Sequence, residues 1–166
     1  IISHHSTGLN SAEYLYGKGK RTIDKYAQST ICMFTITNIE EINKVFGRNL
    51  GTKTIIDVSN IVKTSISAQY VFVRYMGPKF AIAFSGVDLE GVEEFVKTVK
   101  SEIEAITIKK EEATKNKKTK KQIYAHPRTN FILATYYKGT GLEEVTKKLE
   151  EYLDDADKTE SNINCI

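Results

Sequence analysis

The residues best placed by type and spacing to do chemistry surround one turn, Arg74-Tyr75-Met76-Gly77-Pro78-Lys79-Phe80. Lys79 puts a cation at its tip, where it would pair with an acidic partner or a phosphate, or simply keep the surface soluble. Phosphoryl transfer would require more, because the divalent ions that bridge phosphate oxygens want hard carboxylate ligands. The nearby acids that can be placed are Glu40 and Glu41, with no cluster of carboxylates at the turn. His4 and His5 are adjacent and point in different directions, His126 is far off, and no carboxylate spacing makes them a metal site. Two cysteines, Cys32 and Cys165, cannot form a ligand cluster and fit a reducing cytoplasm. Lys109 to Lys121 is a basic run, but no stacking aromatic is interleaved before Tyr124, and Glu111 and Glu112 stand beside it. It reads as a solvated hairpin loop rather than a binding site.

The turn joins two β-branched and aromatic runs of strand length, Val71 to Tyr75 and Phe80 to Phe84, as a hairpin. Upstream, Asn10-Ser11 caps a helix from Ala12 to about Tyr16, Gly17 and Gly19 interrupt it, and a second helical piece covers Arg21 to Ala27. Thr30 to Thr37 is the first core strand, followed by a short helix over Ile39 to Phe46. A longer helix from about Gly51 to Ser65 places Ile55, Val58, Val62 and Ile66 on one face. Asp88 is the cap of the clearest amphipathic helix, marked by Val92, Phe95, Val96, Val99 and Ile103. Ile106 to Ile108 and Gln122 to Ala125 are short edge strands, Phe131 to Tyr137 is a core strand, and Leu142, Val145, Leu149, Tyr152 and Leu153 line a last helix. The core order is strand, helix, strand, strand, helix, strand. That is the α+β, ferredoxin-like βαββαβ arrangement, a mostly antiparallel sheet flanked by helices.

At 166 residues the chain is one domain, spanning 1–166 and long enough to bury a real core. Residues 109–121 are a lysine-rich hairpin insertion and 158–166 a flexible tail. Apolar content of 40% and charged content of 27% are those of an ordinary soluble globule. No apolar run approaches the ~20 residues of a membrane span. The formal charge of +3 is too small to imply a nucleic-acid partner.

The turn and its surroundings resemble the GGDEF domain of diguanylate cyclases. The five signature positions fall on Met76, Gly77, Pro78, Lys79 and Phe80, so the second glycine and the phenylalanine survive and both acids are lost. Ser6-Thr7-Gly8-Leu9-Asn10 resembles the family's opening L-T-G-L-x-N, and FTITNIEEINKVFG from Phe34 to Gly47 resembles D-x-D-x-F-K-x-I-N-D-x-Y-G. Gly47 to Thr52 resembles G-H-x-x-G-D with only its glycines kept, and Ala156 to Asn162 weakly resembles the closing A-K-x-x-G-R-N.

The resemblance implies a nucleotide-cyclase palm-like fold and places lost ligands at named positions. The two metal-ligand positions fall on Thr35 and Pro78, a neutral hydroxyl and a residue with neither a side-chain donor atom nor an N–H. The phosphate-binding lysine position is Glu40, and the closing cations fall near Asp157 and Ser161. Of the guanine-binding pair, Asn43 remains and Thr52 replaces the acid, although an Asn this near Gly47 equally suits helix termination. The R-x-x-D product site would need Arg at Ser67 and Asp at Tyr70. The expectation is therefore a catalytically inactive signalling domain with no cofactor and no metal. It would be a cytoplasmic regulatory or protein-interaction module, or the cytoplasmic part of a membrane protein. Its partner would be another protein or another domain of the same polypeptide, with a homodimer open and no nucleic acid expected. The alternative is a receptor that holds a guanine nucleotide or cyclic di-GMP through Asn43, Gly77 and Lys79 without turning it over.

Overall fold

The computed structural model describes residues 7–116, 118–156 and 161–166. Strands Gln28–Ile36 (β1), Val71–Met76 (β2), Lys79–Ser85 (β3), Thr129–Tyr137 (β6) and Ile163–Cys165 (β7) build a five-stranded sheet in the order β2-β3-β1-β6-β7. Ile108–Ala113 (β4) and Lys120–Ala125 (β5) pair separately as a two-stranded ribbon. All neighbours are antiparallel except β6 and β7. The expected βαββαβ core is present, because β1 lies between β3 and β6 with β2 outermost.

β1 is buried almost throughout, since helices cover both faces of the sheet. Alternation along the strand sends Cys32, Phe34 and Ile36 to one side and Ile31 and Met33 to the other. Ile39–Phe46 (α2), Arg48–Ser65 (α3) and Leu89–Glu104 (α4) cover the first side, where Phe34 stacks between Phe80 and Phe131 at centroid distances of 5.1 and 4.6 Å. These three rings are direct cross-strand partners, so register and packing specify one another. The second side is covered by Leu142–Asp155 (α5) and by a helical stretch (α1) formed of Ala12–Tyr14, Leu15–Gly19 and Lys20–Ile23.

The structure departs from the sequence reading in five places. Gly17 and Gly19 do not interrupt α1 but are wound into its π-turn, and a Cβ at position 19 would lie 3.1 Å from Val71 Cγ1, so the glycine lets the helix sit directly on β2. The stretch ends at Ile23 rather than Ala27. α3 begins at Arg48, immediately after Gly47 breaks α2 at φ 93°, and Gly51 lies within it. The lysine-rich insertion is a ribbon of two six-residue strands, closed by Thr114 N–H donating to Thr119 O and braced by Gln122 Nε2 donating to Glu111 Oε1. Within the expected flexible tail, residues 158–160 lie outside the described ones, but Ile163–Cys165 pair with Phe131, Ile132 and Leu133. The strand satisfies backbone groups that β6 would otherwise leave unpaired. No helix among the described residues is long and apolar enough to cross a membrane.

Candidate functional site

Three adjacent strands bring Lys79, Thr35 and Asn130 into one row, because Thr35 is the register partner of Lys79 on β3 and of Asn130 on β6. The alternation that sends Phe34, Phe80 and Phe131 toward α3 and α4 turns this row toward α5. The hairpin tip closes above it. Gly77 adopts φ 56°, and its carbonyl accepts from Arg74 Nε at 2.8 Å. Pro78 O accepts from Ile36 N–H at 3.3 Å, which ties the tip to the end of β1.

The row lines a groove of about 320 Å³ whose walls include Glu40, Pro78 and Asp154. Four residues singled out from the sequence, Thr35, Glu40, Pro78 and Lys79, therefore meet at one place. Lys79 is not free within it. Its Nζ lies 2.5 Å from Asp154 Oδ1 and 3.6 Å from Glu150 Oε2, both on α5, and the side chain is only 16% exposed. Behind this pair, Tyr75 OH lies 3.5 Å from Glu150 Oε1 and 3.2 Å from Tyr16 OH, which in turn is 2.6 Å from Thr146 Oγ1. Burial, reinforced by the bond with Tyr16, pushes the Tyr75 phenol well above its ordinary range. The network is thus a chain of hydroxyls that fastens the hairpin and α1 to α5.

Asn130 was not anticipated. It is 1% exposed, and neither its Nδ2 nor its Oδ1 has a hydrogen-bond partner. Such a group costs about 1–3 kcal/mol when left unmet. A signal was available, since an amide within Thr-Asn-Phe-Ile-Leu falls at an inward position of a core strand. Asp154 was missed too, although its spacing of four from Glu150 puts both acids on one helix flank beside Leu149 and Leu153.

The remaining sequence-derived residues lie elsewhere. Asn43, on α2, places its side chain over Gly51 of α3, where a Cβ would come within 1.6 Å of Asn43 Oδ1. Thr52 is exposed at the start of the second turn of α3. Neither lines the groove of Lys79. Ser67 and Tyr70 line a separate groove of about 490 Å³, and Tyr70 packs edge-on against Phe84 at 5.3 Å. Ser161 is engaged by Lys100 and Glu104 of α4 at 2.7 Å each. Burial would raise the Glu104 carboxyl, but donation from Lys100, Ser161 and the Thr129 N–H outweighs it and holds the group below its usual range. His126 Nδ1 lies 2.8 Å from Ile106 O. His4, His5 and Asp157 fall outside the described residues.

The donor set decides what the groove can bind. Divalent ions of the magnesium type need several carboxylate or carbonyl oxygens. Thr35 supplies a neutral hydroxyl, Pro78 has no side-chain ligand and its carbonyl already accepts from Ile36 N–H, and Asp154 is already bridged to Lys79. Among the described residues, no cluster of three or more His, Cys, Asp or Glu side chains could hold a metal. The residues present do not fit the ions that the resemblance implies. The local charge is also unfavourable to a polyphosphate, with Glu40, Glu150 and Asp154 set against Lys79.

Comparison with known proteins places these features in a family. The sequence profile described as "Diguanylate cyclase, GGDEF domain" matches residues 5–162. No curated protein matches the chain in sequence. Among solved structures, the coiled coil and GGDEF domain of DgcB from Caulobacter crescentus, in complex with c-di-GMP, superposes with a TM-score of 0.80 at 13% identity, covering 98% of this chain and 84% of that one. The FimX GGDEF domain from Pseudomonas aeruginosa gives a TM-score of 0.76 at 13% identity, covering 97% and 96%. Diguanylate cyclase SiaD from Pseudomonas aeruginosa, solved with its activator SiaC, gives 0.78 at 12% identity, and this chain spans 59% of its length.

Proposed function

Because the chain belongs to the GGDEF domain family of diguanylate cyclases, we propose that it is a member without cyclase activity, retained as a regulatory or protein-interaction module of a signalling protein. Its partner is another protein or another domain of the same polypeptide, and it works in the cytoplasm. The observation that carries this reading is the groove at the hairpin. The positions where the family resemblance expects metal ligands are Thr35 and Pro78, and Lys79 is held by Glu150 and Asp154. Without bridging cations, two GTP molecules would have nothing to neutralise the charge that develops during phosphoryl transfer.

The test is incubation of the purified chain with GTP and either magnesium or manganese, with chromatographic detection of cyclic di-GMP. No product is expected; sustained product formation refutes the proposal. The alternative is a receptor for a guanine nucleotide or cyclic di-GMP, favoured by the DgcB domain, which was solved with c-di-GMP. Calorimetric titration with GTP, GDP and cyclic di-GMP separates the two, since the interaction module gives no heat at high micromolar ligand.

A further inference from the structure

Asn130 lines the groove beside the hairpin, about 320 Å³ in volume, with both carboxamide atoms unpartnered. At 1% exposure it lies at the floor of that groove, not at its rim. Its neighbours in the row do not meet it, since Lys79 is drawn to Asp154 and Glu150 of α5. Folded chains rarely leave a buried amide without a partner, and one kept against an open cavity needs a reason other than packing.

The same groove carries an excess of acid. Lys79 is matched by Asp154 at 2.5 Å and by Glu150 at 3.6 Å, two carboxylates for one ammonium. Glu40, on the first turn of α2, is exposed on the groove wall and has no cationic partner among the described residues. Ile39 of α2 and Leu153 of α5, both buried, give the cavity apolar walls. The floor amide offers an acceptor and a donor in one plane, which a second carboxamide answers with one donor and one acceptor. The carboxylate at the rim draws a cation.

We propose that this groove is a binding site for a small organic cation that carries a carboxamide. The ligand's amide pairs with Asn130, its apolar body lies between Ile39 and Leu153, and its ammonium or amidinium end rests against Glu40. Because the free protein already holds Asn130 desolvated and fixed, little remains to be ordered when the ligand arrives. This goes beyond both readings above. A guanine nucleotide is a poorer match here, since its phosphates would face Glu40, Glu150 and Asp154.

The experiment titrates 4-(aminomethyl)benzamide into the intact, nitrogen-15-labelled chain and follows proton–nitrogen correlation spectra. Benzamide, which lacks the cation, 4-methylbenzylamine, which lacks the amide, and GTP are titrated in parallel. Saturable shifts are expected at the Asn130 side-chain amide, with binding about tenfold weaker for either single-function compound. Asn130→Val should abolish binding. Glu40→Gln, at an exposed position, should weaken the cationic amide about tenfold and leave benzamide unchanged. Unfolding curves verify that each variant is folded, and the exposed Glu40→Gln keeps the test decisive should Asn130→Val perturb the core. No saturable shift at millimolar ligand overturns the proposal, and so does equal binding of all three amine and amide compounds. Tighter binding of GTP, or binding indifferent to both substitutions, overturns it as well. Cyclase activity in the separate assay would instead remove the reading of an inactive member, with this site scored on the compounds and variants alone.

Discussion

Replacing Asn130 by valine should make the protein more stable. The side chain is 1% exposed with both carboxamide atoms unpartnered. Each orphaned group costs about 1–3 kcal/mol, and Asn130→Val removes both. Valine is also a better strand former, while its extra volume costs about 1 kcal/mol of crowding, moderated by the adjoining groove. The net gain is about 2 kcal/mol, which for a chain of this size raises the melting temperature by about 4–8 °C. Urea unfolding followed by far-ultraviolet circular dichroism measures it directly, provided that slope and cooperativity match the wild type. A lower midpoint for Asn130→Val would show that the amide is hydrogen-bonded in solution, and the reasoning from an unmet polar group would be wrong. Asn130→Asp supplies the opposite sign, since an unpaired buried carboxylate is strongly destabilising at neutral pH.

The other predictions concern the ion pairs that fasten α4 and α5. Lys79→Met keeps the aliphatic stem but leaves Glu150 and Asp154 facing one another, and should cost about 1–2 kcal/mol in urea midpoints. That loss should shrink at high salt; a salt-independent loss would point to packing instead. Donation from Lys100, Ser161 and the Thr129 N–H holds the Glu104 carboxyl below the usual carboxylate range despite its burial, so its contribution is complete above that range and disappears as pH falls through the lower folded value. Glu104→Gln should therefore be less stable than wild type near neutrality, and the two stability curves should converge in acid. Curves that stay parallel down to the acid transition would remove the carboxylate from the account.

The elements that pack in simple periodic patterns were legible in the sequence. The stripe of Val92, Val96, Val99 and Ile103 is buried as its spacing requires, and Asp88 accepts from Gly91 N–H at 2.9 Å as a cap should. The hairpin and its turn were legible for the same reason, since Gly77 and Pro78 punctuate two apolar runs. What the sequence concealed depends on contacts between distant segments. Gly19 looks like a helix breaker until Val71 is seen against it, and Gly51 until Asn43 lies over it. Ile163 to Cys165 have no strand signal of their own and are ordered by the edge of β6. At the groove, Thr35, Glu40 and Pro78 could be placed by motif order, but the fate of Lys79 depends on acids about seventy residues further along, on another element.

The short parallel strand at one rim of the sheet also bears on how the protein behaves at high concentration. On one flank, hydrogen bonds from Phe131 N–H to Asn162 O and from Ile166 N–H to Leu133 O occupy groups that a neighbouring molecule could otherwise recruit. The opposite flank is partly shielded where Asn10 bridges Val73. With β7 only three residues long, the border it forms presents only a short template for the addition of a further strand.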